Sequence, residues 1–182
     1  MKRIFACVLA GILLLLSASG CGILDQLGEV IKDEPVTVTA YDETFSVEMP
    51  ASWQKKDRDL NPVSQLTVSD LTENVFMIFV TEAKMDFAEG VTKRDVVEAM
   101  SGNVAKAGTD TTTGTPIEEV ICGRNGIKLR VETTIGQTRL VYHLFVIEFE
   151  DYYLEVTGWS IPSKENSALA SFAAIMDTYQ EL

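Results

Sequence analysis

The segment RLVYHLFVIEFEDYYLEVTGW, residues 139–159, contains the two strands that decide the fold. Its two halves, Arg139 to Phe149 and Tyr152 to Trp159, are rich in aromatic and β-branched residues, which favour strands. Asp151 lies in the polar turn between them. So short a connection joins antiparallel strands, since a parallel crossover needs about a dozen residues. The first strand is apolar on both sides, so we expect other elements to cover both of its faces.

Six further runs are predicted as strands because apolar residues alternate with polar ones or occupy every position. They are residues 36–40, 45–49, 65–69, 75–80, 117–122 and 127–135. The run 75–80 is apolar throughout, which is typical of a central strand covered on both faces. Pro50 ends the second run, because proline has no N–H for the hydrogen-bond ladder.

The dipeptide Asn125-Gly126 predicts a hairpin between the last two of these runs. A two-residue turn there sets Glu119 opposite Glu132, which is a repulsive pair. A loop of four residues sets Glu119 opposite Arg130 instead, and the attraction between these charges favours that register. In both registers Val120 and Cys122 face the apolar side of the sheet.

Caps and apolar stripes predict two helices. The first begins after Thr92, which forms a variant of the capping box with Asp95, and it ends at Gly108. The second is predicted to be capped by Ser163. Its apolar stripe consists of Leu169, Phe172, Ile175, Met176 and Tyr179.

The order of these elements predicts one α+β domain over residues 36–182, an antiparallel sheet of about seven strands flanked by helices. The chain of 182 residues has the length of about one domain. With 46% hydrophobic and 23% charged residues, the composition argues against a fully disordered or collagen-like chain.

A proline and aromatic residues at the end of the first hairpin carry a resemblance to a known family. The residues concerned are Tyr41, Phe45, Val47, Pro50 and Trp53, followed near the end of the chain by Ser171 and Phe172. This opening resembles the start of PsbP-like domains of the Mog/PsbP type, and the strand Tyr152 to Trp159 and the last helix fit the same pattern. The resemblance covers about residues 36–182. It implies an α/β/α sandwich around an antiparallel sheet, and a non-catalytic role in holding or assembling partner proteins.

Residues 1–20 have the three parts of a secretory signal peptide. Lys2 and Arg3 form a basic start, residues 4–16 are apolar, and small residues precede Cys21. This segment resembles a bacterial lipoprotein signal, which implies cleavage before Cys21 and attachment of diacylglycerol to its sulfur. The alternatives are an ordinary signal peptide with a chance cysteine and a retained transmembrane anchor. The apolar stretch is shorter than the roughly 20 residues of a spanning helix.

Residues 21–35 are predicted to contain the lipidated cysteine and a tether. Leu24, Leu27 and Ile31 have helical spacing, so part of the tether could instead form a short amphipathic turn. The chain has 15 basic and 27 acidic residues and a net charge of -12. This charge argues against nucleic-acid binding and against a domain that lies on anionic headgroups. We therefore predict a cell-envelope protein that faces outside the cytoplasm and contacts the membrane through the lipid on Cys21.

His143 is the only histidine in the chain, which excludes a metal site built on several histidines. It shares a strand face with Val141 and Phe145, so we interpret it as a packed histidine that is hydrogen-bonded inside the sheet layer. The alternative is a catalytic base, but the sequence has no G-x-S-x-G elbow to present a serine to it. It also has no glycine-rich phosphate loop. We therefore predict a protein that is not an enzyme and has no cofactor or metal.

Two other patterns have a chemical alternative. Cys122 is interpreted as a structural thiol rather than a nucleophile, because it is predicted to face inward. Asp57, Asp59 and Asn61 match three positions of a calcium-binding loop. Pro62 follows where that loop needs glycine, so a solvated loop is the better interpretation.

Acidic and aromatic residues meet at the end of the strand pair that decides the fold. The acidic ones are Glu148, Glu150, Asp151 and Glu155, and a solvated rim is their ordinary interpretation. Tyr153, Glu155 and Trp159 share one strand face, and an exposed patch of this kind would suit a protein partner.

The sequence thus predicts a lipid-anchored, non-catalytic protein outside the cytoplasm that binds a protein partner or assists the assembly of an envelope complex. The first alternative is a carrier of a small apolar ligand in a pocket between sheet and helix. The second is a hydrolase that uses His143.

Overall fold

The computed structural model describes residues 34–58 and 60–182. The predicted signal peptide, Cys21 and the tether up to residue 33 lie outside the described residues, as does Asp59. Residues 35–182 form one compact unit.

The large antiparallel sheet has eight strands within the described part of the chain, with β10 near its centre. Along the sheet they are β3 (Gln54–Lys55), β4 (Leu66–Asp70), β5 (Val75–Ala83), β10 (Tyr152–Ser160), β9 (Thr138–Glu148), β8 (Arg124–Ile135) and β6 (Thr109–Thr113), with β7 (Ile117–Ile121) paired to β8 beside β6. The two strands of the opening segment, β9 and β10, are antiparallel neighbours as predicted. The run 109–113 was not predicted as a strand, because its threonines and aspartate show no apolar alternation.

A second, smaller sheet contains β1 (Val36–Thr39), β2 (Phe45–Met49) and β11 (Gln180–Glu181). The predicted first hairpin is confirmed, and its register pairs Val38 with Val47. Asp42 stabilises the turn by accepting a hydrogen bond from the Thr44 hydroxyl at 2.8 Å.

The helices are α1 (Lys93–Ala107) and α2 (Glu165–Met176). The capping box of α1 is confirmed, since the Thr92 side chain accepts from the Asp95 N–H and the Asp95 side chain accepts from the Thr92 N–H. The predicted cap of α2 is wrong. Ser163 lies in a short 3-10 turn (Pro162–Lys164), and α2 begins after Lys164 with no side-chain cap.

Each face of the large sheet has its own apolar core. The first core joins α2 and the small sheet to one face, and it includes Phe45, Val47, Leu66, Phe79, Leu154 and Phe172. The second joins α1 to the other face, and it includes Val96, Val97, Leu129, Leu144 and Val146. The predicted antiparallel sheet between helices is therefore confirmed, although it contains eight strands rather than about seven.

The hairpin between β7 and β8 differs from both predicted registers. Its turn residues are Cys122 and Gly123, with φ of 46° and 72°, so Glu119 pairs with Gly126. Two successive positive φ angles are the requirement of the tight turn that matches the twist of a hairpin. Val120 is consequently 71% exposed, and the prediction that it faces the core is wrong.

Candidate functional site

The face of the large sheet that carries α1 is covered unevenly, and a cleft of about 370 Å³ remains beside the helix. Packing against α1 takes place mainly on β8 and β9. The floor of the cleft comes instead from β5, β10 and the near side of β9. The described lining residues are Leu60, Asn61, Ile78, Val80, Met100, Asn103, Val104, Tyr142, Leu144, Glu155, Thr157 and Trp159.

Strand register aligns three aromatic side chains on this face of the sheet, and two of them, Tyr142 and Trp159, line the cleft. Trp159 on β10 is paired with Phe76 on β5 and with Tyr142 on β9. The Trp159 ring stacks on Phe76, with 5.1 Å between the ring centroids and 8° between the ring planes. It also stacks on Tyr142, with 5.9 Å between the centroids and 26° between the planes. Because both faces of the Trp159 ring are covered by neighbours, its edge is the part left for a ligand. We call these three residues the aromatic row.

Glu155 occupies the same floor two rows further along, opposite Val80 on β5 and Val146 on β9. Its partial burial among these side chains, followed by repulsion from Glu82, raises the pKa of Glu155 to about 7. A carboxyl group in this position is therefore about half ionised near neutral pH. Of the described residues that line the cleft, Glu155 is the one with a formal charge.

Tyr153, Glu155 and Trp159 lie on one face of β10 as predicted, but the prediction that Tyr153 is exposed is wrong. Tyr153 is 4% exposed, and its ring packs edge-on against Phe87 at 5.6 Å. The Tyr153 hydroxyl donates to the Val91 carbonyl at 3.1 Å, so its polar end is also used inside the fold. Glu155 and Trp159 are both partly exposed in the cleft. The candidate site therefore contains two of the three predicted residues.

Several lining residues of the cleft were assigned only to the core by the sequence. Ile78 and Val80 belong to the run predicted to be covered on both faces, yet both line the cleft and Val80 is partly exposed. Met100 and Val104 belong to the apolar stripe of α1 and form one wall of the cleft. Their spacing indicates a helix face, but it does not show that α1 lies over β8 and β9 and leaves β5 uncovered.

His143 lies on the opposite face of the sheet, against α2. It is 6% exposed, and its ring centroid is 6.4 Å from that of Phe172. Its Nε2 is 3.2 Å from Glu165 Oε1, but this oxygen lies outside hydrogen-bond geometry, and Nε2 has no aligned partner among the described residues. Burial lowers the pKa of His143, against the opposing attraction of Glu165. The predicted packed histidine is confirmed, without the predicted hydrogen bond at Nε2.

Glu165 is held by Arg130 rather than by the histidine. Arg130 Nε and Nη2 donate to the two carboxylate oxygens of Glu165 at 2.6 and 3.0 Å. The same guanidinium donates to Glu132, which also accepts from Arg139. The hydrogen bonds from Arg130 hold the pKa of Glu165 below its ordinary value. This network joins the start of α2 to the sheet beside the buried His143.

The other candidate groups have structural roles. Cys122 is partly buried in the hairpin turn, and burial, followed by repulsion from Asp177, raises the pKa of its thiol to about 11. Glu148 accepts from Lys84 at 3.0 Å and lies 3.8 Å from Lys93 Nζ. Within residues 34–58 and 60–182, no group of three or more His, Cys, Asp or Glu side chains is arranged to hold a metal ion.

The fold with these two cores and this cleft is PsbP-like, an antiparallel sheet between two helices. The chain is similar to the cyanobacterial PsbP protein (CyanoP) of Synechocystis sp. PCC 6803, with a TM-score of 0.63 and 12% identity over 85% of this chain and 96% of that one. It is also similar to LpqN of Mycobacterium tuberculosis, a protein involved in cell envelope biogenesis. That similarity has a TM-score of 0.58 and 8% identity over 81% of this chain and 90% of LpqN. No family model and no curated protein matches the sequence.

No helix in the described part of the chain is both long and apolar enough to cross a membrane.

Proposed function

We propose that this protein is a non-catalytic binding protein of the cell envelope, anchored by a lipid on Cys21, and that it docks a protein partner in the cleft beside α1. The signal-like residues 1–20 and the small residues before Cys21 support the anchor. The PsbP-like fold is shared with LpqN, which is involved in cell envelope biogenesis. The net charge of -12 favours a domain that is repelled by an anionic membrane surface and is kept near the membrane by its tether.

The aromatic row is the observation that carries the partner-binding proposal. Apolar side chains normally lie under another element, yet Trp159 lines an open cleft on a sheet face that α1 covers incompletely. Exposed aromatic residues at the centre of a patch supply much of the binding energy in protein interfaces. Their rings are already stacked on one another, so little side-chain freedom is lost when a partner binds.

Site-specific photo-cross-linking in the native host tests this proposal. A photoreactive amino acid replaces Asn103, which lines the cleft, and in a matched control it replaces Glu98, an exposed residue of α1 outside the cleft lining. We expect a cross-linked partner from position 103 that is absent from position 98 and is lost when Trp159 is changed to alanine. If position 103 captures nothing beyond what position 98 captures, the cleft is not the docking surface.

The volume of the cleft favours one second candidate, a carrier of a small apolar ligand. About 370 Å³ falls within the range of roughly 300–1,000 Å³ that is usual for small-molecule sites. Native mass spectrometry of the protein purified from its own cells tests this candidate. A carrier should retain a bound molecule that Val104→Trp, which fills the cleft, displaces.

A further inference from the structure

The cleft combines an apolar lining with a single carboxylate. Its walls and floor are mostly aliphatic or aromatic, and the described polar residues other than Glu155 are uncharged: Asn61, Asn103, Tyr142 and Thr157. A ligand that fits this lining must itself be mostly apolar, and its charge, if it has one, must match Glu155.

Glu155 has no cation to balance it within the fold. Among the residues that the structure describes, no lysine, arginine or histidine forms an ion pair with Glu155. Its near neighbour on β5 is another carboxylate, Glu82. A partly buried acid beside a second acid leaves a local excess of negative charge that a ligand cation would neutralise.

Glu148 on β9 and Lys93 at the start of α1, which lie on the same side of the sheet, are already paired. Glu148 on β9 is bound by Lys84, and Lys93 at the start of α1 is shared between Glu148 and Glu118. The Tyr153 hydroxyl on β10 donates a hydrogen bond to the Val91 carbonyl. The wall that α1 presents to the cleft, Met100, Asn103 and Val104, is uncharged. The charge of the described cleft lining is therefore that of Glu155, with Glu82 beside it.

We propose that the cleft receives a lysine or arginine side chain of the docked protein partner, whose alkyl part lies along the aromatic row and whose cationic end binds Glu155. This inference rests on the proposed function, because it names the group of the partner that enters the same cleft. Long basic side chains suit such a site, since their methylene groups pack on apolar surface while the charged end reaches a carboxylate. Binding of the cation favours the ionised carboxylate, so binding and ionisation of Glu155 are coupled.

Butylammonium, which reproduces the end of a lysine side chain, is the probe for this proposal. Butanol and butyrate have the same apolar length with no charge and with the opposite charge. The readout is the indole N–H resonance of Trp159 in NMR spectra of the intact protein, assigned with Trp159→Phe. The other tryptophan, Trp53, is 4% exposed and serves as an internal control.

We expect butylammonium to bind at least tenfold more tightly than butyrate at pH 8, and its affinity to fall as the pH is lowered from 8 to 6. The amine stays charged over this range, because lysine-like amines titrate near pH 10.4. Glu155→Gln should abolish both the preference for the cation and the pH dependence. Glu98→Gln removes the same charge from an exposed position of α1 and should change neither.

Equal binding of the three probes, or a preference for butyrate, overturns the inference. So does a cation preference that survives in Glu155→Gln. The proposed function is tested separately, by the cross-linking at position 103. A cross-linked partner that depends on Trp159 but is unaffected by Glu155→Gln would support the docking proposal and contradict the basic side chain.

Discussion

Gly158 on β10 lies directly against the ring of Phe172 on α2, and a Cβ at position 158 would be 2.5 Å from Phe172 Cε2. Phe172 is fully buried and also packs edge-on against Trp53 at 6.4 Å. The absence of a side chain at Gly158 thus lets α2 approach the strand that carries Glu155 and Trp159 on its other face. The position of the cleft floor depends on this close packing beneath it.

Gly158→Ala should destabilise the protein by about 1–3 kcal/mol, because an added methyl group in a filled core forces its neighbours to shift. Urea unfolding measures this change in the free energy of unfolding. Gly102→Ala is the matched control, since its added Cβ meets nothing within 4 Å and it lies inside α1. That substitution should stabilise the protein by about 0.5–1 kcal/mol. Equal effects of the two substitutions would contradict the close contact with Phe172.

Thr92→Ala should cost about 0.5–2 kcal/mol of stability, because it removes the side chain that accepts from the Asp95 N–H at the start of α1. Thermal unfolding gives the measurement. Thr92→Ser retains the capping oxygen and should remain close to the wild type. If serine is as destabilising as alanine, the Thr92 methyl group rather than the cap is what stabilises this end of α1.

The raised pKa of Glu155 predicts a dependence of stability on pH. The folded state holds the proton up to about pH 7, whereas an ordinary glutamate, as in the unfolded chain, releases it near pH 4.5. The contribution of protonated Glu155 to the free energy of unfolding is therefore fully present below pH 4.5 and is lost as the pH rises to about 7. Glu155→Gln cannot ionise, so its stability relative to the wild type should increase between pH 5 and pH 8. Urea titrations at these two pH values test the sign, and a relative decrease would contradict it.

Local patterns in the sequence predict most of the fold. Alternating apolar residues predict β1, β2, β4 and the long central strands, and Thr92 with Asp95 predicts the start of α1. These signals succeed because burial of one face and satisfaction of helix-end N–H groups are decided within a few residues. The turn at Cys122-Gly123 shows the limit. Asn125-Gly126 has the stronger local preference, but the register that the rest of the sheet imposes places the turn on a cysteine with positive φ.

The candidate site is less predictable because it depends on what covers each residue. Tyr153 and Trp159 have the same strand face and similar chemistry, yet Phe87 and Val91 cover one of them and leave the other in the cleft. Alternation assigns a residue to a face of the sheet, whereas the placement of α1 over that face decides its exposure. That placement arises from contacts between residues distant in the sequence, so no local pattern reports it.

The raised pKa of Cys122 predicts slow alkylation. With a thiol pKa of about 11 instead of an ordinary value near 9, the reactive thiolate at pH 8 is reduced about a hundredfold. Iodoacetamide labelling followed by peptide mass spectrometry should show little modification of Cys122 in the folded protein and rapid modification in 8 M urea. Fast labelling of the folded protein would contradict a partly buried, protonated thiol. Gly123→Ala, in the same turn, should increase the labelling, because a residue with a Cβ is strained at a φ of 72°.

The proposed lipid on Cys21 predicts that the sulfur of this residue determines whether the protein is attached to the membrane. Cys21→Ala should abolish incorporation of an alkyne-labelled fatty acid, and any protein that loses residues 1–20 should leave the membrane fraction. Cys7→Ala is the matched control, because Cys7 lies within the predicted signal peptide and should have no effect on labelling. Two or more acyl chains hold a protein stably in a bilayer, at about 0.8 kcal/mol for each buried methylene, so loss of the sulfur should leave little residual attachment. A wild-type protein that takes up no fatty acid and stays in the membrane fraction with residues 1–20 intact would instead indicate a retained transmembrane anchor, and it would contradict the lipid on Cys21.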